Sequence, residues 1–510
     1  MRLRTFLPVI VPMLLCGCAG AAVQAPVPAA SVETRVDAAV ESITAADVQR
    51  RIAFLASDAL RGRDTPSPGL EAAAEYAAAE LRSFGLQPAG DDGTFIQRFP
   101  FDASRLDRAA VLVEARAVTG ATRLAFGTDF FVIPARLDSV VGVPLFLGPA
   151  RPGVLAPADA AGRPLVFFVP DTASAAWQGA AGAALQASMA ARASATVLIM
   201  PPDFAAATLG TLADQLAGQV MQVPMPVVGV RYDAAKQIFR QAGLDLDAVR
   251  TATEPATLDG VTLALRTPVG GSSVEVPNVV AILPGSDSVL SREYIVFSAH
   301  IDHVGVGTPD ESGDSIYNGA DDDASGTTAV LEIAEAFADL AQPPARSIMF
   351  VLVSGEEKGL LGSQHFVGDP PVPVAQMAAN INIDMIGRNA PDTVVAIGQD
   401  YSSLGPAIQR VAGAHPRLGL TVAPDLWPEE QLFFRSDHFS FAVKEVPAIF
   451  FTTGLHDDYH QPSDEPDTIN NDKLTRVARL LFLFALDLAN APERPQWTAE
   501  GLAEMRSIGR

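Results

Sequence analysis

EYIVFSAHIDHVG (residues 293–305), NGADDDASGTTAVLEIAEAFADL (318–340) and RSIMFVLVSGEEKG (346–359) follow one another in the chain, and their order decides the fold. EYIVFSA is an apolar run of strand length, ASGTTAVLEIAEAFADL an amphipathic helix, and RSIMFVLVSG a second buried strand. Working outward, VPNVVAIL (276–283) precedes them. ANINIDMIG (379–387), TVVAIG (393–398) and VPAIFFTTG (446–454) follow, then a final helical pattern over KLTRVARLLFLFALDLA (473–489). Near-continuous apolar strands separated by helices require a sheet covered on both faces. The expectation is an α/β fold, a mixed and mostly parallel sheet with helices on both faces, across residues 266–492.

Upstream, ITAADVQRRIAFLASDAL (43–60) and GLEAAAEYAAAELRSFG (69–85) carry helical periodicity, and RGRDTPSPG (61–69) between them is dense in turn formers. We read 43–115 as the N-terminal part of the same domain. From 116 to 265 strand-like runs such as PLVFFVP and PVVGV alternate with Ala-rich helical stretches, without a single histidine. A segment of this size can form its own core, so it reads as an inserted smaller domain.

The N-terminus has a different character. Arg2 and Arg4 precede FLPVIVPMLL and then Cys16-Gly17-Cys18, an export signal too short to span a bilayer. Leu-x-Gly-Cys resembles a bacterial lipoprotein signal, 1–18, with Cys18 lipidated. Residues 19–42, rich in Ala, Pro and Val, read as a flexible tether, and 493–510 as a C-terminal tail. The implied location is the bacterial envelope, attached through the lipid on Cys18 and facing the periplasm, or else soluble and exported. Both cysteines lie in the signal, so the rest of the chain has no disulfide to rely on. The net charge is −23 and lysine occurs only at 236, 358, 444 and 473, which excludes a basic stripe for nucleic acid.

All seven histidines lie between 300 and 460, and the candidate chemistry is concentrated there. His300 and Asp302 follow a strand, Asp321 to Asp323 sit in a turn before a helix, Glu356 and Glu357 follow a strand, Asp384 ends one, and His460 lies in a loop after another. In open α/β sheets ligand sites form beyond the carboxyl ends of strands. Two imidazoles (His300, His460) and three carboxylates (Asp322, Glu357, Asp384) are donors that Zn²⁺ accepts, with Mn²⁺ or Co²⁺ as substitutes. Three carboxylates around one dication leave net negative charge in a cleft, whereas around two dications they leave one positive charge that a hydroxide neutralises. Two metals therefore fit better than one. Adjacent acids in an extended segment point apart, so one of Glu356 and Glu357 binds metal while the other takes a proton from the metal-bound water.

SAHIDHVG, NGADDDASG, VSGEEKGLLGS, NINIDMIG and YHQPSD resemble, in order, the signature blocks of the M28 zinc aminopeptidases. The likeness covers about 275–490, and LRGRDTPSPG through GLQPAGDDGTFIQRF is similar to the N-terminal part of such enzymes. The resemblance implies a zinc-exopeptidase fold with a protease-associated-like insertion. It implies two Zn²⁺ per chain: His300 and Asp384 hold one, Glu357 and His460 the other, and Asp322 bridges. Glu356 would be the general base, Asp302 would accept from the His300 imidazole and fix its tautomer, and Tyr459 would donate to the developing oxyanion. A metal-bridging hydroxide would attack, on peptides with a free N-terminus. Asp323 stands where many relatives have Asn.

Each feature has a bland reading: a hydrogen-bonded strand-end histidine, a solvated acidic turn, an acid pair at a helix start. Five such coincidences in sequence order are needed to explain the set away. His303 reads as flanking rather than coordinating, His365, His415 and His456 as ordinary residues, and His438 lies in RSDHFSF, a segment that resembles the family's substrate-side helix. Arg435 and Asp437 contact substrate, orient ligands or form a structural ion pair. The alternatives are a carboxypeptidase-type or glutaminyl-cyclase-type relative on the same fold, or a non-catalytic envelope binding protein. Oligomeric state is not encoded in any pattern we recognise.

Overall fold

A computed structural model describes residues 32–135, 139–170, 174–217 and 224–508. The signal at 1–18, Cys18 and the first part of the tether lie outside the described residues.

A nine-stranded sheet carries the domain. Its strands are β1 (Gln87–Pro88), β2 (Ile96–Asp102), β3 (Ser273–Leu283), β4 (Tyr294–His300), β5 (Ser347–Val353), β6 (Met377–Ile383), β7 (Thr393–Ile397), β8 (Thr421–Ala423) and β9 (Ala448–Thr452). Their order is β1-β3-β5-β4-β6-β9-β7-β8, with β2 also paired to β3. The central four, β5, β4, β6 and β9, run parallel, and antiparallel strands flank them. The chain leaves β4 for β5 on one side and returns for β6 on the other, so the C-terminal end of β4 is a switch point where a crevice opens.

Alternation within each strand assigns the two faces. Ile295, Phe297 and Ala299 of β4 join one buried cluster, and Val296 joins another on the opposite face. The first face is covered by α1 (Val32–Ser42), α2 (Ala45–Leu55), α3 (Pro68–Ser83), α4 (Gly326–Ala338), α6 (Leu404–Ala414) and α8 (Asn471–Asn490). The second takes α5 (Leu361–Gly368) and α7 (His438–Val443), and α9 (Ala499–Ile508) adds Met505 to a cluster around Val395 and Phe450. Buried Arg51 on α2 binds Glu80 of α3 at 2.9 Å, and Glu332 and Glu335 of α4, which fixes the helix that starts at the site.

Two terminal expectations are corrected. The last part of the expected tether is α1, with Ala39 buried against the main core, and most of the expected tail is α9. Each buries a side chain against the domain, Ala39 from α1 and Met505 from α9, and the Ala-rich composition of 19–42 does not by itself distinguish a helix from a tether.

The insertion leaves and re-enters on paired chains: Ser273 lies opposite Asp102, and Leu106 opposite Val269. Beyond them a four-stranded antiparallel sheet spans Leu112–Ala117, Gly120–Leu124, Ser139–Gly142 and Val261–Arg266. A six-stranded sheet has four parallel strands at its centre, Leu145–Pro149, Pro164–Phe168, Ala195–Ile199 and Val227–Val230. These elements bury two cores of their own. The expected limits of 116 and 265 each cut a strand, because its outer pair runs from Leu112 to Arg266.

Candidate metal centre and active site

His300 is the last residue of β4, Glu356 and Glu357 follow β5 after Ser354 and Gly355, and Asp384 directly follows β6. Gly355 has φ +71°, which turns the chain out of the strand and lets the two glutamates diverge. Glu356 faces a cavity, and Glu357 faces the loop carrying His460. Asp322 sits in the tight turn Ala320–Ser325 that opens α4.

The five expected ligands meet, with Asp322 between two groups. Its Oδ1 is 3.1 Å from His300 Nε2, which is 3.6 Å from Asp384 Oδ1. Its Oδ2 is 3.0 Å from His460 Nε2, which is 3.2 Å from Glu357 Oε2. His303, expected to flank, places Nδ1 at 2.9 Å from Glu357 Oε1 and 3.6 Å from Asp322 Oδ2. The buried atoms His303 Nδ1, His460 Nε2, Asp322 Oδ2, Glu357 Oε1 and Asp384 Oδ1 have no hydrogen-bond partner among the described residues. Donor atoms on a tetrahedral Zn²⁺ at about 2.0–2.1 Å lie roughly 3.3 Å apart. The observed separations match that spacing, so the residues fit two zinc ions sharing Asp322.

The electrostatics point the same way. Burial would raise Asp322, but the imidazoles of His303, His300 and His460 outweigh it and hold the carboxyl well below the usual range. Burial and Asp322 push Glu357 up, and His303 and His460 bring it down to about 2. Burial would lower His460, yet Asp322 and Glu357 raise it to about 10. The site carries excess negative charge that recruits protons or cations. Glu356 behaves differently: burial, with Asp437 and Glu357, pushes it well above the carboxylate range against the pull of His300. A carboxyl so placed holds a proton more readily than an ordinary carboxylate does.

Beneath the ligands lies a built scaffold. The Asp302 carboxylate was expected on the His300 ring, but the closer partner of Nδ1 is the Asp302 backbone carbonyl at 3.1 Å, with the carboxylate at 3.8 Å. The carboxylate instead accepts from Thr65 Oγ1 at 2.9 Å and from the Glu356 backbone N–H at 3.3 Å. Thr65 Oγ1 also accepts from the Gly355 N–H. Asp323 accepts backbone N–H bonds from Gly326, His300 and Met385, tying the start of α4 to the ends of β4 and β6. Asp464 accepts from the N–H groups of Asp321 and Asp322. Buried Arg63 donates to the carbonyls of Ile301, Asn318 and Gly319. A polar ladder runs from Asn380 through Ser298 and Asn382 to Ser436, whose hydroxyl donates to Asp384 Oδ2 at 2.8 Å.

Sequence reasoning missed Thr65, Arg63, Asp464 and Ser436, which are distant in the chain. Asn380 and Asn382 could have been found, since they precede Asp384 at two-residue spacing on one face of an apolar strand. His456, expected to be ordinary, places Nε2 at 3.2 Å from Asp321 Oδ2 and braces the loop of His460. His438 is a core residue: burial lowers it to about 3, and its ring stacks on Phe450. His365 stacks on Phe99, and His415 caps α6.

The cavity is lined by His300, Asp322, Glu356, Asp384 and Tyr459, with Met385, Leu432, Phe450 and Leu455 as an apolar wall. Tyr459 stacks on His460 at 3.9 Å, and burial together with Asp322 and Glu357 raises its hydroxyl, keeping the O–H as a donor. Arg435 also lines the cavity, and its ion pair is with Glu430 at 3.3 Å rather than with Asp437. Asp437 is fully buried, and burial raises it to about 7 against the opposing charge of His300.

Residues 278–485 match the profile described as Peptidase family M28, and this segment is an M28 domain. A probable zinc metalloprotease of Pyrenophora teres f. teres is 37% identical over 116 residues, 23% of this chain and 24% of that protein. One from Pyricularia oryzae is 28% identical over 282 residues, 47% of this chain and 54% of that protein. Leupeptin-inactivating enzyme 1 of Streptomyces exfoliatus is 29% identical over 33% of this chain and 34% of its own length. The chain thus spans from 24% to 54% of these curated relatives. The fold is that of an aminopeptidase from Aneurinibacillus sp. strain AM-1, with TM-score 0.59 and 19% identity over 90% of this chain and 97% of that one. A zinc aminopeptidase from Bacillus subtilis superposes with TM-score 0.53 and 17% identity over 88% and 96%.

Proposed function

We propose that this protein is a di-zinc aminopeptidase that hydrolyses N-terminal residues from peptides, with Glu356 as general base. The observation that carries the proposal is the meeting of two donor groups on Asp322, at the mouth of a cavity that Glu356 shares. His300, Asp322 and Asp384 would hold one ion, and Asp322, Glu357 and His460 the other. Zn²⁺ bound there polarises a carbonyl oxygen and lowers the pKa of a water molecule to about 7. Glu356 takes the proton of the attacking water and returns it to the leaving amine, and its raised pKa suits both transfers. Tyr459 donates its O–H to the carbonyl oxygen as negative charge develops there. The acidic groups attract a free α-amine, and the wall of Met385, Leu432, Phe450 and Leu455 receives an apolar first side chain.

One observation favours a carboxypeptidase instead: Arg435 is a cation on the cavity wall. Arg435 is itself paired with Glu430 at 3.3 Å, and the other candidate cations are engaged too, Lys358 with Asp64 at 2.8 Å and Arg388 with Asp458 at 2.5 Å. A peptide blocked at either end decides between the two. Cleavage only when the N-terminus is free is expected, and cleavage with a blocked N-terminus but none with a blocked C-terminus refutes the aminopeptidase reading. Glu356→Gln should keep two zinc ions and lose about 10²–10⁴-fold in turnover. Unchanged turnover would remove Glu356 from its role, and a wild type without chelator-sensitive hydrolysis would leave a non-catalytic binding protein. We further propose export and attachment through Cys18, and a protease-associated-like role for the insertion.

A further inference from the structure

We propose that His303 is a fourth protein ligand at the Glu357–His460 half of the centre, which makes the two halves unequal: one closed, one open. The inference rests on the di-zinc reading above. His303 is fully buried, and neither ring nitrogen has a hydrogen-bond partner among the described residues. Its Nδ1 lies 2.9 Å from Glu357 Oε1 and 3.6 Å from Asp322 Oδ2, separations that suit donors to one ion. His303, Asp322, Glu357 and His460 each offer one donor atom to a set lying within 4.8 Å of one another. Asp322 Oδ2 is 3.6 Å from His303 Nδ1 and 3.0 Å from His460 Nε2, while Glu357 turns Oε1 to His303 at 2.9 Å and Oε2 to His460 at 3.2 Å. Four donors at about 3.3 Å spacing complete a tetrahedral shell.

The ring is held there. The His303 backbone N–H reaches the Arg63 carbonyl at 3.4 Å. Gly319, at φ +58°, packs against the imidazole so closely that a Cβ would lie 2.5 Å from it. Neutral imidazole adds a donor without charge, so the balance between three carboxylates and two dications is unchanged.

The other half has only His300, Asp322 and Asp384 as donors not already committed to backbone N–H groups, because Asp323 accepts three of these. A second observation matches this division. The cavity is lined by His300, Asp322, Asp384 and Glu356, and by none of His303, Glu357 and His460. Closed four-ligand zinc sites are structural, whereas catalytic sites keep a position open. The ion at His303 therefore binds first and holds the Asp322 carboxylate and the His460 loop, while the ion at His300 faces the substrate.

Zinc titration of the chelator-stripped full chain against a chromophoric competitor, with X-ray absorption at one equivalent, tests this. Two imidazoles on the first zinc are expected, from His303 and His460. His303→Phe and His303→Asn should weaken the tighter phase by at least about 100-fold and leave the weaker one within about threefold, since even outer partners of ligands are worth about 10–100-fold. A single imidazole on the first zinc, or two unchanged phases in both variants, overturns the proposal. The absorption measurement on wild type decides even if the variants do not fold. Two zinc ions with unmoved phases would sink His303 alone, whereas a wild type that takes fewer than two would sink the di-zinc reading with it.

Discussion

At the scale of single residues, the site is a set of carboxylates sorted by what each touches. Among the described residues, Asp322, Glu357 and Asp384 have oxygens without hydrogen-bond partners, whereas Asp323 and Asp464 spend theirs on backbone N–H groups. Asp302 is a third kind: it accepts from the Thr65 hydroxyl and from the N–H of Glu356. Thr65→Val keeps the shape and removes the hydroxyl. It should lower kcat about tenfold with KM nearly unchanged, in line with lost outer support of a metal site, and Thr65→Ser should restore it. Denaturant melts should show a loss of about 1–3 kcal/mol for the valine variant, from a buried acceptor left unpaired. A kcat equal in valine and wild type would show that Glu356 does not depend on this relay. His300, Asp322, Glu356, Glu357, Asp384 and His460 were legible because acids and imidazoles at strand ends are expensive to bury without a purpose. Thr65 was not, since a threonine beside Pro66 in a turn-rich segment reads as a turn former.

Between elements, the decisive contact is the start of α4 against the end of β6. Gly326 opens the helix, and a Cβ there would meet the Ile383 carbonyl at 2.2 Å and Asp323 Oδ1 at 2.4 Å. Glycine is therefore what lets Asp322, just before the helix, approach Asp384, just after the strand. Gly326→Ala should push these elements apart, costing about 1–3 kcal/mol by overpacking. It should also weaken the metal at His300 and Asp384 more than the one at Glu357 and His460. Equal loss at both, measured by zinc stoichiometry during chelator competition, would place the strain elsewhere. The central elements were legible from period alone: β4, β5 and α4 fall within two residues of their sequence limits. The helix α1 was not, because an alanine-rich stretch next to an apolar leader carries too little contrast to reveal a stripe. Ala39 is buried there by α4 and α8, which come nearly three hundred residues or more later.

For the whole molecule, the question is how far the catalytic domain depends on its insertion. The sequence marked the change of texture near residue 116, a consequence of a segment that builds cores of its own. Its strand-limited boundaries were hidden, because Leu112 and Arg266 lie in runs that continue smoothly into their neighbours. The geometry now makes the insertion removable. Leu106 and Val269 are opposed on antiparallel chains, so an Asn-Gly turn can join them and replace 107–268 as a two-residue hairpin. Among the described residues, none lining the cavity comes from the insertion, and the insertion's two cores share no residue with the main one. The shortened chain should fold, bind two zinc ions and hydrolyse a small aminoacyl substrate within about threefold of the full chain, as a separable domain permits. If the insertion screens substrates by size, activity on long peptides relative to short ones should rise on its removal. A soluble, metal-loaded but inactive core would show instead that the insertion completes the site, and that the cavity of the full chain needs its support to form.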